Sequence, residues 1–284
     1  MQPVKKEHFV ALFDVLGFKS RLDDLKLEGM LEKYEKLINI VDSKNTEQDG
    51  YEDGEFHGAF FIMSKRELKG YPPALVINEI RGAYASDSIV VWGNSYLLGT
   101  PVRLGAKFIS PPVFCDPFLD VCNEIMCHAI EIGLPLRGGI SSGMSVMDKV
   151  RSIYLGQPIV DAAIIEGKHN FIGASFDDNF SGLSRSDKYF INFKKHLKKD
   201  KNGKEQKLVS LDWVRHWQQT RDNDLHKIIS SLNTDSNFSH YYENTVDLIK
   251  SSAKRELKME EISNQIIFPG IHFKQLWLPV REIK

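Results

Sequence analysis

No stretch of the 284 residues approaches the ~18 consecutive apolar side chains that a membrane-spanning helix requires. Met1 to His8 (MQPVKKEH) is polar and lacks the apolar block of a secretory signal. A cytoplasmic protein that does not engage a membrane is expected. An excess of charge of one sign is missing too: 37 Lys and Arg stand against 38 Asp and Glu, a formal net charge of −1. Without a basic field, nucleic acid is not an expected partner, and an anionic ligand must be met by local groups. Cysteine is scarce. Cys115, Cys122 and Cys127 make three, with no CxxC pair, which suits reduced core thiols better than disulfides or a zinc site completed by His128. What remains is ordinary globular composition, 42% apolar and 26% charged, long enough for about two domains or one with a large elaboration.

Phe9 to Phe13 (FVALF) is a short apolar run that stops at Asp14. A glycine-bearing connection follows, and then Leu22, Leu25, Leu31, Tyr34, Leu37, Ile38 and Val41 recur at helical intervals among charges, which predicts a strand, a tight turn and an amphipathic helix. Residues 42–73 are expected to form an exposed insertion, the first part acidic and turn-rich. Apolar stretches around Ala74 to Ile80 and Ile89 to Trp92 flank Ser86-Asp87-Ser88 and read as a hairpin with an aspartate at its tip. Val113 to Ile132 has helical periodicity with Pro117 near its start, Leu136 to Met147 is strand-like, and Gly156 to Gly167 reads as a second helix with Pro158 in its first turn. The order strand, helix, hairpin, helix, strand predicts an α+β protein of ferredoxin-like βαββαβ type, in which the first strand lies beside the hairpin.

The boundary is set near Ser184, giving segments 1–183 and 184–284. In the second, KYFINF and KLVSLDW flank a lysine-rich stretch whose Asn202-Gly203 pair predicts a hairpin, and the tail from Trp213 to Lys258 is helical in pattern. A solvated hairpin explains the lysines better than a nucleic-acid patch, since no aromatic side chain is interleaved for base stacking.

Asp14 ends an apolar strand and Asp87 tips the neighbouring hairpin. Two carboxylates so placed repel each other unless a cation lies between them, and hard divalent ions prefer oxygen donors. Two such ions, roughly 3.5–4 Å apart, can clamp the attacking and leaving oxygens of a phosphoryl transfer. Taken singly, either aspartate could instead cap a helix or close a turn.

FDVLGF before a long helix, ASDS in a hairpin, LRGGISSG in a later strand and GQPIVDAAIIEG after it resemble, in order and spacing, the catalytic domain of the class III nucleotidyl cyclases over about residues 8 to 180. The resemblance implies two divalent cations per site, Mg2+ or Mn2+, on Asp14, Asp87 and the main-chain carbonyl of Val15. It implies catalysis by Asp14, Asp87 and Arg137, the arginine matching the family's phosphate contact, although an interface salt bridge is the alternative role. The Leu16-Gly17-Phe18 turn opens a helix whose amides suit a triphosphate, so Gly17 and Phe18 are candidate substrate contacts.

The departures from the family shape the rest. Where adenylate-forming members carry a base-reading lysine and aspartate, this chain has Ala83 and Ile153, which disfavours adenine. Tyr84 and Tyr154 stand beside those positions and could narrow the pocket toward a single-ring base, or serve only as packing. Val160 and Ile164 replace the family's asparagine and arginine, so Arg81 or Lys168 would have to supply the missing charge. This combination resembles the pyrimidine cyclases of bacterial Pycsar anti-phage systems. The resemblance implies conversion of UTP or CTP to the 3′,5′-cyclic monophosphate, a homodimer with sites at the subunit interface, and action on a separate effector through the cyclic product. A catalytically degenerate nucleotide-binding homologue and a purine nucleotide cyclase are the alternatives.

Overall fold

The computed structural model describes residues 5–44, 59–61, 75–98, 103–104, 107–108, 115–180, 187–193, 196–199, 203, 208–232 and 235–265. In chain order the first elements are β1 (Lys6–Val15), α1 (Phe18–Lys44), β2 (Ala59–Phe61), β3 (Leu75–Ala85), β4 (Ser88–Leu98) and the two-residue strands β5 (Arg103–Leu104) and β6 (Lys107–Phe108). Then come α2 (Asp116–Glu131), β7 (Leu136–Asp148), β8 (Ile153–Gly156), α3 (Gln157–Glu166) and β9 (Gly173–Phe176). A 3-10 turn at Asp187–Tyr189 leads to β10 (Phe190–Ile191), β11 (Ser210–Leu211), α4 (Trp213–Thr220), α5 (Leu225–Leu232) and α6 (Ser239–Gln265).

The fold is α+β, and among the described residues nine strands form one mixed sheet in the order β10-β11-β9-β7-β1-β4-β3-β2, with β8 paired to β7. Neighbours are antiparallel except β7 and β9, which run parallel. β1 is thus central, between β7 and the second hairpin strand β4, as the order of elements predicts.

Alternation along β1 gives the sheet its two covered faces. Phe9, Ala11, Phe13 and Val15 enter the main core with Phe118, Leu119, Cys122, Ile125 and Met126 of α2 and Met30, Leu37 and Val41 of α1. Leu12 and Asp14 point to the opposite face, where α3 lies against β1 and β7. That approach is close enough that a methyl on Gly139 would overlap the carbonyl of Ala162, so only glycine fits there. Pro117 and Pro158 occupy the first turns of α2 and α3, where a missing N–H costs nothing. The three cysteines are buried thiols outside any disulfide, and burial pushes the Cys115 thiol up to about 12.

The structure departs from the sequence expectation in α1. Its backbone breaks at Lys26 (φ 60°, ψ 177°), and the break resets the helical phase. Met30, Leu37 and Val41 therefore face the core, while Leu31, expected on the apolar stripe, is 56% exposed. Of the expected insertion, α1 extends to Lys44 and β2 pairs with β3; the remainder lies outside the described residues. β10 and β11 pair as the C-terminal hairpin pattern predicts, but Asn202 lies outside the described residues, as does everything after Gln265. Among the described residues no helix is long and apolar enough to cross a membrane.

Candidate functional site

β1 ends at the hairpin tip. The amide of Val15 donates to the carbonyl of Asp87 at 3.0 Å, and the amide of Leu16 donates to that of Pro135 at 2.9 Å, so the chain leaving β1 is tied on both sides. Gly17 then turns it with φ +70°, a left-handed value that glycine adopts without strain. α1 opens at Phe18, and its first amides have no intrahelical acceptor. These features border a cleft of about 450 Å³. Its walls are Asp14 and Val15 from β1, Leu16 to Ser20 from the turn and first helical turn, Asp87 from the hairpin, Arg137 from β7, and Phe238 and Tyr241 where α6 begins.

Asp14 and Arg137 face each other in the β1–β7 register, and Nη2 of the arginine donates to Oδ2 of the aspartate at 2.8 Å. Glu166, the last residue of α3, brings Oε1 to 2.8 Å from the same nitrogen, out of line for a hydrogen bond. Burial works against the guanidinium's charge, but the Asp14 hydrogen bond and the Glu166 carboxylate outweigh it and hold Arg137 above its ordinary value. Glu166 shifts upward as well, because burial and the charges of Asp14 and Asp87 outweigh the pull of Arg137. One arginine therefore serves a site with three carboxylates, two of them within reach of it.

Tyr34 of α1 donates to the carbonyl of Ser86 at 2.9 Å and braces the hairpin tip; burial, then the charges of Asp87 and Asp14, push its hydroxyl up.

Of the residues expected to act, Asp14, Val15, Gly17, Phe18, Asp87 and Arg137 meet at this cleft. Arg81, Tyr84, Tyr154 and Lys168 do not line it. Tyr84 packs edge-on against Tyr34, 6.0 Å between ring centres, on the side of the sheet covered by α1. Tyr154 lies 5.2 Å from the ring of Trp92, which Arg81 faces across the hairpin. Trp92 is itself the register partner of Val10, four residues and about 13 Å along β1 from Asp14. Lys168 follows α3, and its carbonyl accepts from the amide of Lys198 at 2.8 Å. The separation is physical: strands advance in one direction from the hairpin tip, so residues three to six positions back along β3 cannot return to it within one chain. Glu166, Phe238 and Tyr241 were not foreseen. Glu166 could have been, as the acidic end of a helix that packs on β7, whereas nothing in the sequence links position 241 to position 137.

Divalent cations of the kind implied by two converging aspartates need hard oxygen donors, and Asp14, Ser20 and Asp87 bring side-chain oxygens to the cleft. Arg137 occupies Oδ2 of Asp14, leaving Oδ1 and the Asp87 carboxylate as the donors that fit. No cluster of three or more His, Cys, Asp or Glu side chains suited to a metal occurs among the described residues, so the donor set is the sparse one of two carboxylates and main-chain carbonyls. No protein-family model matches the sequence, and comparison with curated proteins gives no match.

Proposed function

We propose that the chain is a pyrimidine nucleotide cyclase of the class III type, converting UTP or CTP to the 3′,5′-cyclic monophosphate and pyrophosphate. The observation that carries this reading is the meeting of Asp14, Asp87, Arg137 and the open start of α1 on one cleft. The placement of β1 between β4 and β7 supports a ferredoxin-like cyclase core. In the reaction the ribose 3′-oxygen bonds to the α-phosphorus, the bond to the bridging oxygen of the β-phosphate breaks, and the hydroxyl proton passes to solvent. Asp14, Asp87 and the Val15 carbonyl would hold Mg2+ or Mn2+, which would supply Lewis-acid activation of the hydroxyl and neutralise charge on the departing pyrophosphate. The α1 amides and Gly17 receive the phosphates at the positive end of the helix, and Arg137 contributes a planar double donor. Catalysis is then mainly orientation and preset charge.

Leu155 of β8 and Val160 and Ile164 of α3 are 64%, 51% and 53% exposed, an apolar surface that supports a homodimer with sites at the interface. Arg81 and Tyr154, distant from the cleft in their own chain, are the base-side candidates a second chain could use. Through its product the enzyme would act on a separate effector in anti-phage defence.

The test is incubation of the purified protein with each of the four ribonucleoside triphosphates and Mn2+, with products identified by mass. Cyclic UMP or cyclic CMP is expected, and loss of product in Asp14→Ala and Asp87→Ala. A purine product would replace the substrate assignment, and release of pyrophosphate from no triphosphate would overturn the activity. Val160 and Ile164, where the family carries polar catalytic groups, favour a second reading, a degenerate homologue that binds nucleotide without releasing pyrophosphate.

A further inference from the structure

We infer that Tyr241, at the start of α6, is a positioning residue of the site, holding Arg137 so that its guanidinium faces the cleft instead of closing onto Asp14. The inference rests on the reading of Arg137 as a phosphate contact. An arginine beside a carboxylate ordinarily pairs through two nitrogens at once. Here Nη2 alone bonds Asp14, because Nη1 donates to the Tyr241 hydroxyl at 3.1 Å and the guanidinium carbon lies 5.2 Å from the centre of the tyrosine ring. Nε is buried with no hydrogen-bond partner, so the group is oriented by its two terminal nitrogens. Nη1 keeps a second hydrogen for an incoming anion, whereas Nη2 already has two carboxylate oxygens, of Asp14 and Glu166, at 2.8 Å.

Tyr241 can do this because α6 is clamped where it begins. Thr245 receives the amide of Ile172 at 2.9 Å and donates to the carbonyl of Tyr241 at 2.6 Å. The adjacent Tyr242 hydroxyl accepts from Arg21 of α1 at 2.7 Å, and Arg21 in turn donates to the carbonyls of Leu16 and Gly133. Phe238 closes over the turn, 3.3 Å from where a side chain on Gly17 would begin. The C-terminal helix is thereby built into the phosphate end of the site, and Tyr241 as a whole residue is 8% exposed.

The experiment is calorimetric titration of the full chain with inorganic tripolyphosphate and Mg2+, beside the cyclisation assay. Tyr241→Phe keeps the ring and loses the hydroxyl, and binding roughly 5- to 10-fold weaker is expected; Tyr241→Leu loses both contacts and weakens it further. Tyr189→Phe removes a comparable bond, from the Tyr189 hydroxyl to Asp120 at 2.9 Å, away from the cleft, so it should lower the unfolding temperature while affinity stays within about 2-fold. Wild-type affinity in Tyr241→Phe, equal losses in Tyr241→Phe and Tyr189→Phe, or no binding by the wild type overturns the inference. If no triphosphate is cyclised but the Tyr241 dependence of binding holds, the cyclase reading falls and this one stands. Product formation that ignores Tyr241→Phe gives the reverse.

Discussion

Two polar clusters sit on neighbouring strand pairs of one sheet, and they are built on opposite terms. Between β9 and β11, His169 donates from Nδ1 to the carbonyl of Gly173 at 3.1 Å, a direction fixed by an oxygen that can only accept. Its Nε2 lies 2.8 Å from the Ser175 hydroxyl, which lies 2.9 Å from that of Ser210. All three side chains are wholly buried, and burial drives the imidazole down to about 3, so the network is neutral and Ser175 donates to Nε2. At the β1–β7 end, Asp14, Glu166 and Arg137 meet beside an open cleft, with one carboxylate out of line and one arginine nitrogen unsatisfied. A histidine hydrogen-bonded to a serine carries the chemistry of a nucleophile and its base, yet here it is satisfied and sealed. The incompletely satisfied cluster is the one with room for a ligand.

The largest expected effect divides the two. On the proposed cyclase reading, Arg137→Ala should lower kcat/KM for cyclisation by roughly 10³-fold, the cost of removing a preset cationic donor from a phosphoryl transfer site. Tripolyphosphate titration of the same variant should show the matching loss of affinity. A rate within tenfold of wild type would place the functional centre elsewhere. The complementary change, His169→Ala, takes one buried partner from the Ser175 hydroxyl and one from the Gly173 carbonyl and opens a cavity. It should cost about 3–5 kcal/mol in urea denaturation while the folded fraction keeps its tripolyphosphate affinity. A loss below about 1 kcal/mol would show that the buried network does not hold β9 to β11.

Acid should sharpen the contrast without mutation. The folded histidine protonates only near 3, whereas its ordinary value is 6.5, so in between the unfolded chain takes up a proton that the folded chain refuses. The stability this group contributes is complete above about 6.5 and is lost as the pH falls, at up to about 1.4 kcal/mol per pH unit. The measurement is the unfolding free energy from pH 6.5 to 5, above the carboxylate range, in wild type and in His169→Gln. The variant should show a slope smaller by one proton; equal slopes would mean that the imidazole is charged in the folded protein.

The same contrast explains what could be read from residues alone. The strand ending at Asp14, the hairpin tipped by Asp87 and the proline-started helices α2 and α3 were legible because local rules place them: alternation, turn chemistry and tolerated prolines at helix starts. The break at Lys26 was not, since neither glycine nor proline marks it and tertiary packing of Met30 and Leu37 overrides the helical phase. Four-residue β8 is too short to carry a period. The attachment of Tyr241 to Arg137 spans 104 positions, and long-range polar pairs leave no trace in spacing. Aspartates were found because strand ends announce themselves; the groups that orient their neighbour come from α3 and α6, whose docking onto the sheet end is decided by the whole fold.

The smallest effect asks whether the two aspartates are interchangeable. By charge alone, removing either should relieve repulsion and leave stability equal or higher. The structure makes them unequal, because Asp14 accepts from Arg137 at 2.8 Å with both side chains largely covered, while the charge of Asp87, like that of Asp14, acts against the Glu166 carboxylate. Asp14→Asn keeps the shape but weakens the only in-line carboxylate bond of the guanidinium, and about 1 kcal/mol of stability should be lost. Asp87→Asn removes a like charge and should gain a few tenths of a kcal/mol at low salt, with the gain shrinking as salt screens the repulsion. Urea denaturation of both variants at low and high salt measures the difference. Equal shifts of the same sign would mean that Arg137 is not bound to Asp14 in solution, and that its position in the cleft is set from α3 and α6 alone.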